Sequence, residues 1–446
     1  MNFMFAISSM RKIIECFLTL ATLVACSMSH AQNLPNPFPP GSVITFPPLA
    51  NGLKIVLREN HALPIVAMEV VIHTGAAAEA GMPGVAHFLE HVSFEGTVHF
   101  PNRFGAQYAL ECRGGFSNAI TKRDIIRYNG SVASDQVSVL SKVLADIVLH
   151  PLLSDQSVTA QRAVITAECE HQQFDPVTEL VNAAYASTCA EHPYGVAPVG
   201  SLQDIARVTP TMVRDFHAHW FVPNNMTVVL VGDISVARAQ AVVQEAFSDV
   251  PATVLPSMAT LNFRFLGAAV NVHFKSNLPT MYQIMAFPAS PVTDFKSYIA
   301  TQLLASLLIN KADALLPVHW ANAGLHVGQY GQEYVAVRYP GRLLIWAQTP
   351  PAEVDVLFKS TLATMAALKQ TKLDAQTLMQ AKGELAQRFV FENATYSDQA
   401  ATLACYAGVG DVANSSDYLP IMQAITEEEV RAMIPTTYLA RVTLGP

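Results

Sequence analysis

Apolar positions fall along this chain in two rhythms. Runs rich in branched side chains at 53–57, 65–72, 125–130 and 226–233 predict strands. Helical spacing at 137–148, 158–172 and 211–220 predicts helices, and a further one opens at Pro83-Gly84 and runs on to Phe94 without another breaker. The Pro-rich stretch 33–48 predicts a linker or an arm over the surface. Pro251 and Pro256 punctuate a second connection, which divides the chain into domains at 32–250 and 263–446 with a linker at 251–262. Beyond it, near Leu261, the order repeats. Leu278-Pro279 and a strand-like run through Phe287 echo Leu63-Pro64 and its run, and a long apolar helix at about 297–316 follows where 84–94 stood.

Composition narrows the picture. At 446 residues, 51% hydrophobic and 14% charged, the chain can build two full cores and is not a disordered polyelectrolyte. A formal net charge of -8 leaves no basic face for nucleic acid. Arg11 and Lys12, an apolar run at 13–25 and the small-residue site Ser29-His30-Ala31 predict a signal peptide over 1–31, hence export to a bacterial periplasm. Leu23-Val24-Ala25-Cys26 equally fits a lipoprotein box, which would anchor the mature chain to a membrane through a lipid on Cys26. Cys112, Cys169, Cys189 and Cys405 would remain. Their irregular spacing supports neither a redox motif nor a thiolate zinc site, and predicts four small buried residues.

The chemistry concentrates in His87-Phe88-Leu89-Glu90-His91. On a helix, residues four apart share a face, so both imidazoles project together and Glu90 joins them. Two neutral imidazoles at that spacing can hold Zn2+, and a neighbouring carboxylate can take a proton from its water. A solvated helix face is the bland alternative. Against it stand the apolar neighbours Val85, Leu89 and Val92, which predict a buried surface where such groups need partners. The corresponding helix at 297–316 has no His or Glu, so only the first domain is predicted to bind metal.

A catalytic zinc needs a third protein ligand. Gln161, Val164, Ile165 and Glu168 share one face of the helix predicted there, with the apolar pair expected to point inward and carry Glu168 with it, and Glu170 to solvent. Spacing alone does not separate this from an amphipathic helix with an acidic end.

His87-x-x-Glu90-His91 followed after 76 residues by Glu168 resembles the signature of the pitrilysin, or inverzincin, metallopeptidases. Phe94-Glu95-Gly96-Thr97, Gly114-Gly115 with Asn118-Ala119, Thr121, Asp124 and Tyr128, His192-Pro193-Tyr194-Gly195 and 223–233 are also similar to family patterns. The resemblance implies an α+β fold of two homologous domains, each a mostly antiparallel sheet with helices packed on it. It implies one Zn2+ held by His87, His91 and Glu168, with zinc-bound water activated by Glu90. It further implies an endopeptidase for extended or unfolded peptides, gripped along an edge strand by Phe116, Asn118 and Ala119.

Two departures stand out. Gln161 occupies a place where the family usually has Glu, and is expected to support the site from behind the ligands. Trp320 and Val327 stand where many members carry an Arg and a Tyr that reach the substrate. A homologous partner in a heterodimer is therefore expected to supply that pair. A non-catalytic scaffold or peptide-binding subunit is the alternative function.

Overall fold

The computed structural model describes residues 34–446 except 80, 190–191, 257–268 and 311–312. The signal peptide over 1–31, Cys26, Leu261 and the far end of the expected linker lie outside the described residues.

The described strands form two sheets. In the first, β1 (Ile44–Thr45), β2 (Lys54–Glu59), β3 (Ile65–Ile72), β4 (Phe116–Thr121), β5 (Ile126–Ala133) and β6 (Met226–Gly232) lie in the order β1-β2-β6-β3-β5-β4. In the second, β7 (Val270–Lys275), β8 (Met281–Ala289), β9 (Tyr330–Glu333), β10 (Gly341–Thr349) and β11 (Ala440–Gly445) lie in the order β7-β11-β8-β10-β9. Five strands of each sheet follow one plan. The last strand of each half slips between the first two of that plan, parallel to one and antiparallel to the other. All other pairings are antiparallel. The Leu-Pro echo therefore marks a true repeat, with β3 and β8 in corresponding places. β4 is an outer strand of its sheet, bonded only to β5.

Six helices shape the site and the joint between the halves: α1 (Val85–Val92), α2 (Val137–Leu149), α3 (Asp155–Gln173), α4 (Pro176–Thr188), α5 (Phe295–Ala305) and α6 (Tyr396–Val409). α1 and α2 cover one face of the first sheet, against inward residues such as Met68, Val70, Val228 and Leu230, and α3 packs on α1. α5 and its neighbours cover one face of the second sheet, against Met285, Phe287, Leu343 and Ile345.

The other two faces are closed by exchange. α6, from the second half, lies on the first sheet with Ala400, Leu403 and Ala404 against Val71, Val229 and Val231. α4, from the first half, lies on the second sheet with Leu180, Val181 and Ala184 against Ile284, Val442 and Leu444. Burial on both faces explains why these strands read as unbroken apolar runs rather than alternating ones. It also explains Gly408 of α6, where an added Cβ would come within 2.7 Å of Ile125 and 3.1 Å of Val71.

Three sequence expectations need correction. The described part of the stretch, 34–48, is an arm that is pinned down: β1 pairs with β2, and Phe38 is wholly buried in the second half's core, its ring 6.1 Å from that of Phe389. The helix expected over about 297–316 stops at Ala305 as an α-helix, widens into a π-helical turn at Ser306–Asn310, and gives way to a separate helix at Leu315–Asn322. Of the four cysteines, Cys169 and Cys189 are buried, but Cys112 is exposed and Cys405 half-buried; all four are free thiols. The whole apolar stretch Phe295–Asn322 is long and apolar enough to cross a membrane, yet 75% of its most apolar window is buried in the protein. Here it makes core.

Candidate metal centre

α1 starts in an unusual way. Gly84 occupies its N-cap with φ of 85°, a left-handed conformation that suits glycine, and has no side chain with which to cap. Glu79 takes over that task from five residues upstream. Its Oε2 accepts the Gly84 N–H and its Oε1 the Ala86 N–H, both at 2.9 Å. The carboxyl is buried, and burial pushes its pKa up to about 8 against the opposing pull of those two N–H groups. Val85, Phe88, Leu89 and Val92 fill the first half's core, and so hold the opposite stripe of α1 in a fixed orientation.

That stripe carries His87, Glu90 and His91. α3 supplies Glu168 from across the cleft, its start capped by the Ser154 hydroxyl. The donor atoms form a small triangle. His87 Nε2 and His91 Nε2 are 3.3 Å apart, His91 Nε2 is 3.3 Å from Glu168 Oε2, and His87 Nε2 is 3.7 Å from Glu168 Oε1. Ligands roughly 2.0–2.1 Å from a tetrahedral ion sit roughly 3.3–3.4 Å from one another. The set fits zinc in size and in donor type. Among the described residues this is the one group of three or more His, Cys, Asp or Glu side chains so arranged.

The electrostatics point the same way. Burial, reinforced by His91, pushes His87 down to about 4, so its ring is a neutral donor at neutral pH. Burial also opposes charge on His91, but its hydrogen bonds to Glu168 and Gln161 and the nearby Glu90 carboxylate outweigh that and raise it. The hydrogen bond from His91 in turn holds Glu168 below the usual carboxylate range. The trio favours positive charge at its centre, which a divalent cation supplies. Glu90 is buried beside it, and burial raises its pKa; its Oε2 accepts the Thr121 hydroxyl at 2.5 Å.

A cleft of about 620 Å³ opens over these groups, lined also by Asn118, Ala119, Ile120 and Thr121 of β4. All of its lining residues fall between His87 and Val199. Phe116 lies farther along β4, 48% exposed, and is not part of that lining. Val164 corrects the expectation of an inward pair: Ile165 is buried, but Val164 is 45% exposed and lines the cleft beside Glu168. Glu170 is exposed as expected.

Trp320 is far from free to reach a substrate. It is wholly buried in the second half's core, where its Nε1–H donates to Thr361 at 3.1 Å, and Val327 packs against the same core. Asp124 and Tyr194, noted only as pattern matches, hold the halves together instead. Asp124 accepts the Tyr194 hydroxyl at 2.5 Å and the Arg338 N–H at 2.9 Å. Glu95, which meets Gln161 behind His91, and Thr121 are noted in the sequence only as parts of family patterns, with no role; Glu79 is not noted, and an acidic residue ahead of a helix that opens on Pro-Gly is the nearest to a signal for it.

Comparison with known proteins places the chain in a family. Residues 54–197 match the family model described as insulinase, peptidase family M16, and residues 207–385 match the peptidase M16 inactive domain. The probable zinc protease PqqL of Escherichia coli (strain K12) is 29% identical over 277 residues, 56% of this chain and 28% of that protein. The mitochondrial-processing peptidase subunit beta of Blastocladiella emersonii is 28% identical over 218 residues, 48% of this chain and 47% of that one. The matched stretch thus spans about half or less of these relatives. A protease from Helicobacter pylori has a crystal structure of TM-score 0.83 at 20% identity, covering 91% of this chain and 99% of that one. The structure of the periplasmic protease PqqL follows at 0.73 and 20%, covering 92% of this chain and 48% of that one. Two consecutive models of one family over most of the chain, together with the fold of solved M16 proteins, show that this chain belongs to the M16 peptidases, the insulinase or pitrilysin-like family.

Proposed function

We propose that this chain is a zinc-dependent endopeptidase for extended or unfolded peptides, the metal-bearing subunit of a heterodimer exported to the bacterial periplasm. One observation carries the reading: the donor atoms of His87, His91 and Glu168 lie 3.3–3.7 Å apart beside a buried Glu90, at the rim of an outer strand. His87, His91 and Glu168 would hold one Zn2+, which when bound polarises a substrate carbonyl and acidifies water.

The chain's own residues supply the rest. Glu90, its pKa raised by burial, takes the proton from the attacking water and hands it to the leaving nitrogen. Thr121 holds one of its oxygens in place, leaving the other for that traffic. Asn118 and Ala119 offer the outer edge of β4 to the substrate main chain, with Phe116 as an apolar neighbour along the same strand. Main-chain pairing of this sort accepts many sequences.

A developing oxyanion needs a further donor. With the cleft lined by the first half and Trp320 committed to Thr361, that donor is assigned to a homologous partner. The likeness to a processing-peptidase subunit, and to less than half of PqqL, supports a second similar unit completing the chamber. The description of PqqL as periplasmic supports export. Mass spectrometry of the mature N-terminus separates cleavage after Ala31 from a lipid on Cys26.

The test combines metal analysis of the purified chain with cleavage of unfolded peptides, with and without a co-expressed partner. About one zinc per chain is expected, with cleavage that needs the partner and is lost in Glu90→Gln. A zinc-free protein, or cleavage indifferent to Glu90→Gln, would sink the enzyme reading in favour of a scaffold or peptide-binding role. Full activity from the isolated chain would sink the heterodimer.

A further inference from the structure

Behind the donor triangle a line of polar side chains runs outward from His91. His91 Nδ1 lies 3.2 Å from Gln161 Oε1, Gln161 Nε2 donates to Glu95 Oε1 at 2.5 Å, and Arg103 Nε meets that same oxygen at 2.8 Å. Gln161 is buried, and the Glu95 side chain is 8% exposed, while Arg103 is mostly in solvent. We infer that Glu95 is a positioning residue for the metal site, fixing through the Gln161 amide which nitrogen of His91 carries the proton. This rests on the metal reading above.

The argument is one of donors and acceptors. An ionised carboxylate only accepts hydrogen bonds, so the end of Gln161 that faces Glu95 is its NH2 group. The other end is then the carbonyl, which also only accepts. His91 Nδ1 therefore carries a hydrogen towards Gln161, so that the Nε2 hydrogen, which meets Glu168 in the metal-free chain, is the one an ion displaces, leaving that lone pair to the donor triangle. Without the charge at 95, the amide is free to turn over. Its NH2 group would then donate to Nδ1 and drive the proton onto Nε2, where no ion can bind.

The contrast with His87 is informative, since its Nδ1 is buried with no hydrogen-bond partner among the described residues. Only one of the two imidazoles is steered from behind. A carboxylate at position 161, where the resemblance has Glu, can accept the Nδ1 hydrogen from either oxygen and needs no anchor. In this chain the charge sits one residue farther out, at Glu95, and a directional amide relays it.

The experiment is a set of three variants of the full chain, with zinc affinity read by chelator competition. Glu95→Gln keeps the shape and removes the charge, and is expected to weaken zinc binding about tenfold or more, the usual cost of losing support behind a ligand. Gln161→Glu is expected to weaken it as well, by setting two buried carboxylates against each other. Together the two changes restore affinity to within about threefold of the original, because the carboxylate introduced at position 161 then accepts from His91 directly. A merely structural role would make the double variant worse than either single one. In metal-free Glu168→Ala protein labelled with 15N-histidine, in alkaline buffer, where no carboxylate competes at Nε2, His91 is expected as the Nδ1–H tautomer, and as a mixture once Glu95→Gln is added. Unchanged affinity and tautomer in Glu95→Gln, or a double variant no better than the singles, overturns the inference. A parent that binds no zinc at all sinks the metal reading instead, and the tautomer measurement still decides this one.

Discussion

The two halves share one strand plan, and they put the same position to opposite uses. After β3 the chain builds α1 and sets two imidazoles and a carboxyl on its cleft side. After β8 it builds α5, where Tyr298, Ile299, Leu303 and Leu304 fill the matching space with apolar packing. The first half gives up core for chemistry: Glu79, His87 and Glu90 are buried groups whose ionisation burial disfavours. The second half sets apolar packing at the matching place, and its core reaches the first sheet by way of α6. One repeat is the tool and the other is the mounting.

The largest effect that tests this division is on turnover. Glu90→Gln should lower peptide cleavage by about a hundred- to ten-thousand-fold, the range for a lost proton-transfer group, while zinc content and thermal midpoint hold. A loss of zinc or of folding on that change would blur the two roles.

Next in size are truncations in the second half. Trp320→Ala should cost about 3–5 kcal/mol in denaturant unfolding and leave the zinc content of the folded protein unchanged. A selective loss of cleavage with little loss of stability would mean that Trp320 reaches the substrate after all. Leu403→Ala, where α6 crosses onto the first sheet, should cost about 2–5 kcal/mol. Both halves should still melt in one transition, since the cores share residues; two separate transitions would break the picture of mutual support.

The smallest effect concerns pH. His73 and His217 are both pushed down to about 4 by burial, and their Nε2 atoms meet the Thr227 hydroxyl and the Val148 carbonyl, each at 2.8 Å. Their folded values lie below the unfolded value near 6.5, so the unfolded chain binds more protons between the two. Their contribution is complete above about pH 6.5 and lost as pH falls towards 4. Buried Glu69 and Glu79, held up to about 7 and about 8, act in the opposite sense, so the check is a difference: from pH 7 to pH 5, His217→Gln should lose less thermal midpoint, or gain more, than the parent.

What could be read from the chain was local. The apolar run at 65–72 is β3 end for end, and the one at 226–233 overshoots β6 by a single residue, because a run of branched residues bounded by breakers is a self-contained signal. His87, Glu90 and His91 were legible because helical spacing alone puts them together. Glu168 was legible as a face of a helix, though Val164 shows that such a face can meet an open cleft as well as a core. The helix at Pro176–Thr188 went unread despite its Asp175 cap, since its apolar face matches a sheet built about a hundred residues later. Phe38, Glu79 and Glu95 act across five to several hundred residues of chain, and no periodicity announces a contact of that kind.

The traded helices α4 and α6 make the molecule behave as two clasped hands rather than two beads on a string. A protease that nicked the backbone between Phe247 and Val270 would leave fragments still interleaved, each holding a part the other needs. Such a nick would show on a denaturing gel while the native particle kept its size, and neither fragment expressed by itself should find a stable shape.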